Sequence, residues 1–510
     1  MFDDDDFIEG EGKSLEQLLQ DYMAIKNGQS RISLDEDDFE EIIDYFIFNT
    51  KEMEGLEACE IALGYFPYSS AILQFKAEIL AQLQRYGQAL QVLDDLDRLD
   101  QKNVSAVLLR ADIYLNQLKY KQAADCLENN IAHFGKKDQI ELLMELSDVY
   151  DEAEEFEAVF DTLKRVVRID SRNEEALQKI CFWADFTKQL EESVELHTEL
   201  CDKDPYNATA WFNLGAAYQG LRLYEKSADA YEYCIAIDDK FEFAYRNMAD
   251  AFMRLKWFDK AIEVLEKHIE IAQPEDIIFE AIGHCWEKKK LYQKARYYYR
   301  QASLLNPKDA SIFFKIGETY TRERQWEKAA KAFAVALHLD TNNAQYNMAI
   351  GNCLMHMDVP NEAVICYLNA VRIKPNIKTT WIALIKSLYT TKLFEDALLQ
   401  LEIAIEHCGL KPEFYYLQAA CLFGLGKSKE ALKKLELGLK TAPQKANNFL
   451  ALDPDLIRRN KVSSARRYTN VAVSGEGPDV GRLTGHSVAE CGCVFAQPLP
   501  PRAPRLAAYS

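Results

Sequence analysis

Few side chains in these 510 residues stand where they could do chemistry. Cys491 and Cys493, with His486 just upstream, offer three ligands of the kind zinc takes. Structural zinc wants four ligands at wider Cys spacing, and no fourth is near, so no metal is expected there. His284 and Cys285 are adjacent, which suggests a thiolate–imidazole pair. Neighbours on a helix point about 100° apart, so the two side chains should not meet. Asp94 and Asp95 could share acid–base work only inside an enclosing pocket, and the flanking sequence suggests none. A glycine-rich phosphate loop, a GxSxG elbow, an HExxH pair and a kinase motif set are all missing from the sequence. The twelve Cys form no CxxC and no disulfide framework; Cys59, Cys126, Cys234 and Cys366 read as small buried thiols. The chain is therefore expected to have no catalytic residues, no metal and no cofactor, and to be no enzyme.

What the sequence does carry is positional regularity. Small residues recur as Gly215, Ala249, Gly283, Gly317 and Gly351, each step being 34 residues. Three places on come Tyr218, Phe252, Trp286, Tyr320 and Leu354, and a second small position gives Ser227, Ala261, Ala295, Ala329 and Ala363. The register runs forward to Trp381, Ala397, Ala419 and Ala431, and back through Cys181, Tyr150, Ala111 and Ala77 to a degenerate copy with Ile43 and Ala62. One step, Ala111 to Ser147, is 36 residues, which predicts two extra residues in the turn near Phe134-Gly135-Lys136-Lys137. Apolar residues at three- and four-residue spacing predict two helices per period. The X-Pro pairs Asp204-Pro205, Asn306-Pro307 and Lys374-Pro375 stop the second helix, because Pro disfavours helix at the residue before it. No such hairpin buries its apolar face alone, so neighbours must stack.

The pattern resembles the tetratricopeptide-repeat (TPR) family, as a bacterial-type multi-repeat scaffold, over roughly four-fifths of the chain. The resemblance implies an all-α, right-handed superhelical solenoid of about twelve helix-turn-helix repeats, with first helices lining a concave groove. It also implies binding of a partner protein or peptide in that groove. The expected layout is an acidic leader and N-terminal helix over 1–35, a solenoid over 36–445, a capping helix over 446–460 and a disordered basic Pro/Gly/Arg tail over 461–510. The abrupt change at the tail also fits out-of-frame or vector-derived sequence. Its PLPPRAPR run weakly resembles a polyproline ligand.

If the family geometry holds, groove positions follow. Asp44, Glu78, Asp112 and Asp148 succeed one another after the crossing position and form an acidic ladder suited to a basic peptide, or simply a solvated face. Arg254, Lys288 and Arg322 occupy one position in three consecutive repeats, where they could hold an acidic ligand or pair with Glu287 and Glu318. Phe314, Met348, Tyr389, Tyr416 and Phe423 make the later first helices apolar, which suits peptide capture, tight helix packing or a dimer contact. Asn213 and Asn247 resemble two rungs of the asparagine ladder in the TPR superhelix of O-linked N-acetylglucosamine transferase. The two-carboxylate clamp of co-chaperone TPR domains fails at four of five matching positions: Phe212, Ala216, Asn247, Ile277 and Ala281.

Composition narrows the class further. Gly (21) and Pro (14) are too few for a turn-rich all-β chain. A net charge of −21 argues against a nucleic-acid partner, although +5 of basic charge gathers from Ile457 onward. The acidic start MFDDDD is no secretory signal, and no apolar run approaches the ~18 residues of a membrane span. A cytoplasmic protein with no membrane insertion is expected. Its function would be to scaffold a partner protein or peptide; the alternative is a structural, self-assembling protein that forms homo-oligomers.

Overall fold

The computed structural model describes residues 14–28, 33–100 and 102–445. Among them lie twenty-five α-helices and no strand. The capping helix expected over 446–460, the tail over 461–510 and most of the acidic leader lie outside the described residues. The chain divides into two compact units, 1–239 and 240–510.

The first unit opens with the helix Leu15–Lys26, started by a capping box in which Ser14 and Gln17 satisfy each other's backbone N–H. Six helix hairpins follow, from Glu36–Phe48 with Glu52–Tyr65 to Ala208–Gly220 with Tyr224–Ile237. The second unit holds six more, from Glu242–Arg254 with Phe258–Ile271 to Pro412–Gly424 with Ser428–Thr441, then a 3₁₀ turn at Pro443–Lys445. The described residues thus contain twelve hairpins, in line with the period of the sequence.

Local chemistry sets where each helix begins and ends. Most first helices start on a side-chain cap: Ser69, Asn103, Asn173 and Asn207 accept from the third backbone N–H at 2.9–3.1 Å. First helices end in a Schellman turn. After Ser70–Gln82, Gln84 N–H donates to Ala81 O and Arg85 N–H to Leu80 O, with Gln84 left-handed at φ 59°. The same conformation recurs at Thr50, Leu118, Glu154, Lys188, Arg222, Lys256, Lys290, Arg324, Asp358 and Lys392, and falls to a glycine only at Gly426. Each L-residue held there costs about 1–2 kcal/mol.

The two extra residues of the 36-residue step do not lengthen the turn. Helix Tyr120–Ile131 stops at 12 residues where other second helices run 14 or 15, and Lys136–Glu152 runs 17 where other first helices run 13. The insertion becomes an added N-terminal turn of helix. That keeps the backbone groups of the added residues bonded within the helix.

In most hairpins the two helices meet where a small residue faces one sixteen places later. Tyr231 lies on Gly215, Tyr299 on Gly283, Phe333 on Gly317 and Tyr367 on Gly351. Where the first position is alanine, the second is leucine, as in Ala77/Leu93, Ala111/Leu127, Ala249/Leu265 and Ala419/Leu435, all buried. The buried tyrosine hydroxyls are satisfied on the first helix. Tyr231 donates to Gln219 at 2.9 Å, Tyr299 to Glu287 at 2.8 Å and Tyr367 to Asn352 at 2.8 Å.

Candidate partner-binding faces

In the first unit the acidic ladder falls on successive first helices. Asp44 is exposed; Glu78, Asp112 and Asp148 are half-buried. Although Asp44 is exposed as a residue, partial desolvation of its carboxyl raises it above its ordinary value. Burial also raises Glu78, the Gln74 amide offsets part of that by donating at 3.0 Å, and the charge of Asp44 adds to the rise. These two carboxylates therefore sense one another across a hairpin step. Asp148 is in a different setting: Lys179 donates to it at 3.1 Å and to Glu175 at 2.8 Å, so positive charge interrupts the ladder there.

Asn213 does not face a ligand. It is buried, its Nδ2 donates to Leu177 O at 2.7 Å, and it lies 3.3 Å from His197 Nε2. His197 Nδ1 sits 2.8 Å from Ser193 O, which places its proton on Nδ1 and leaves Nε2 to accept from Asn213. Burial lowers the imidazole to about 4. Asn213 thus ties one first helix to the next. Asn247 of the second unit is likewise buried and away from solvent, so the two-rung asparagine ladder is corrected to interior positions.

In the second unit Lys288 and Arg322 are exposed and Arg254 is half-buried, with Asp250 at 3.5 Å on its own helix. Burial raises the Glu318 carboxyl and Glu287 adds to the rise, while Arg322, Lys315 and Lys288 act against it. Lys315 is ion-paired to Glu280. The cations stand among carboxylates, so this face is mixed in sign.

The apolar positions divide. Phe314 is half-buried against Phe333 and Tyr346, each with ring centroids at 5.1 Å. Met348 accepts from Thr380 at 3.5 Å, and Tyr389 rests edge-on against Phe394 at 5.3 Å. Tyr416 and Phe423 are buried at 1% and 6% exposure, which removes them from an open groove. The Tyr416 ring lies against Gly438, and its hydroxyl donates to Ala442 O at 2.9 Å, so it closes the last hairpin.

One surface feature escaped the sequence analysis. Phe182 and Phe186, on helix Glu174–Phe186, are 38% and 54% exposed. Their rings stack at 6.0 Å, and Phe156 meets Phe186 edge-on at 5.1 Å while stacking on the buried Trp183 at 5.3 Å. In sequence, Phe182 falls 34 residues after Asp148, at the position the ladder residues occupy in the earlier hairpins.

Among the described residues no group of three His, Cys, Asp or Glu could hold a metal ion, and His486, Cys491 and Cys493 lie outside them. Cys285 is buried and His284 exposed, so they diverge. Burial pushes the Cys59 thiol up to about 12, the behaviour of an inert packed sulfur.

Helix hairpins closed by left-handed turns, with a small residue under a bulky one at most crossings, define a helical-repeat protein. Tetratricopeptide-repeat models match residues 208–241, 244–274 and 287–344, so the hairpins in those stretches are tetratricopeptide repeats. None of the curated proteins matches it. Among solved structures it is similar to YrrB, described as a TPR protein with an unusual peptide-binding site, at 18% identity over 37% of this chain and 98% of that one, TM-score 0.33. It is also similar to the Cut9–Hcn1 hetero-tetramer of APC/C, at 13% identity over 81% and 97%, TM-score 0.32. A third is the C-terminal part of a TPR protein from Cytophaga hutchinsonii, at 16% identity over 48% and 95%, TM-score 0.40.

Proposed function

We propose that this protein is a non-catalytic, cytoplasmic interaction scaffold that holds a segment of a partner protein or peptide along the exposed edges of its first helices. The observation that carries the proposal is the recurrence of Asp44, Glu78 and Asp112 at one position on three successive hairpins. A ligand laid across the hairpins would meet the same chemistry at each step, and each carboxylate would gain from a cation. The repeat family supports an interaction scaffold in general terms. Among the described residues no helix is long and apolar enough to cross a membrane.

The test is a quantitative pull-down with the full chain and with an Asp44→Lys/Glu78→Lys/Asp112→Lys variant that keeps its helical circular dichroism. A partner held by the wild type and lost by the variant supports the proposal. Unchanged capture removes the ladder from it. Absence of any partner, with mass rising as concentration rises, would replace it by the homo-oligomer.

A further inference from the structure

Charge is divided unevenly along the chain. Residues 1–239 contain 52 Asp/Glu against 22 Lys/Arg, a balance of −30, while residues 240–510 contain 29 against 38, a balance of +9. The exposed rings of Phe182 and Phe186 lie in the acidic part. Phe156, which packs edge-on against Phe186, is embedded in Asp151-Glu152-Ala153-Glu154-Glu155-Phe156-Glu157, five carboxylates in seven residues, of which Glu152, Glu154, Glu155 and Glu157 are exposed. Asp185 lies on the same helix as the rings and pairs with the exposed Lys188 at 3.0 Å, a surface contact worth little that a ligand cation could replace.

We infer that the aromatic ledge of Phe182 and Phe186 is a docking site for a lysine- or arginine-rich segment of a partner protein that carries one apolar anchor residue. This rests on the scaffold reading and names the partner's chemistry. The rings are held by Phe156 and Trp183, so little side-chain freedom is lost when an anchor covers them. The surrounding carboxylates select the rest of the ligand. An acidic segment is repelled, and a purely apolar one desolvates charges it does not pair. Cations can sit over the ring faces or beside the glutamates. In the second unit the position equivalent to Phe186 is taken by Lys288 and Arg322, which would refuse the same ligand.

The experiment uses fluorescence anisotropy of three labelled synthetic peptides on the full chain: an Arg/Lys-rich peptide with one Trp, its Trp→Ser counterpart, and an acidic peptide with the Trp. The first is expected to bind at least about tenfold tighter than the other two, and to weaken as salt rises. Phe182→Ser/Phe186→Ser and Glu154→Lys/Glu155→Lys, both at exposed or ring-edge sites, should each cost about tenfold with the melting curve unchanged. Equal binding of the acidic peptide, indifference to the anchor, or indifference to the phenylalanine change overturns the ledge. None of these touches the pull-down of the ladder variant, so the scaffold reading can stand while this inference falls. If the Arg/Lys-rich peptide binds only after residues 461–510 are deleted, the chain's own basic tail is the occupant and the partner assignment is overturned.

Discussion

The ring of Tyr299 fills the space that a β-carbon on Gly283 would need: such an atom would lie 2.6 Å from both Cδ1 and Cε1. The phenol hydroxyl runs on to Glu287 of the same first helix, so one side chain both spaces the hairpin and ties it. Gly215/Tyr231 and Gly351/Tyr367 repeat the arrangement, and Gly317/Phe333 repeats it without the hydroxyl.

Gly283→Ala should therefore destabilise the second unit by about 1–3 kcal/mol, the cost of overpacking. Adding Tyr299→Leu should recover part of that loss, because it reproduces the Ala249/Leu265 crossing found one hairpin earlier. Urea midpoints for the single and double variants decide the matter. A double variant no better than the single would show that the ring is not the obstacle.

Asn213→Ala should lower stability by about 1–3 kcal/mol, because it leaves Leu177 O and His197 Nε2 buried without their donor. Partner affinity measured on the folded fraction should not move. Loss of affinity at intact stability would return Asn213 to a binding role.

His197 titrates at about 4 in the folded chain against ~6.5 unfolded. The unfolded state takes up the proton first, so this group costs nothing above pH ~6.5. Stability is lost as pH falls from there towards 4, by roughly 3 kcal/mol at most. His197→Gln, which keeps an acceptor for Asn213, should flatten that part of the stability–pH curve relative to wild type. Parallel curves through the window would contradict the buried neutral imidazole.

For Glu78 the sign reverses. Its folded carboxyl is raised, so folding favours the protonated form and stability falls as pH climbs through the carboxylate range. Glu78→Gln should stabilise the first unit at pH 7 and lose that advantage in acid. Asp44→Asn should bring the Glu78 carboxyl down, which a carbon-detected NMR titration would read directly.

Leu118 holds φ 58° with its side chain 73% exposed, so it gives up little packing when removed. Leu118→Gly should raise stability by about 0.5–1 kcal/mol, the left-handed cost less the greater entropy glycine loses on folding. A destabilised variant in thermal melts would mean that the leucine packs more than its exposure suggests.

The 34-residue step announced the hairpins because packing constrains types at crossings: Gly283 and Ala249 cannot be large. Solvent-side positions obey no such limit, and there the sequence was less informative. Asn213 and Tyr416 carry polar atoms that suit an open groove equally well. Only the fold reveals that Leu177 O and Ala442 O are within reach of them. The two inserted residues near Phe134 were legible as a number and not as a place, since helix Lys136–Glu152 could absorb them at its start as readily as the turn could. Phe182 was visible, but an aromatic residue that breaks a row of acids reads as noise until its neighbours Phe156 and Phe186 are seen beside it.

The crossing tyrosines also make the chain its own clock. Burial holds the Tyr299 and Tyr367 phenols far above the range in which ordinary tyrosines ionise. In mild alkali their hydroxyls can lose a proton only when the surrounding hairpin parts. Stacked repeats open in local groups rather than all at once. The slow appearance of phenolate absorbance after a pH jump would then time the breathing of individual hairpins, with no label attached, and Gly317/Phe333 supplies a silent crossing between two that report.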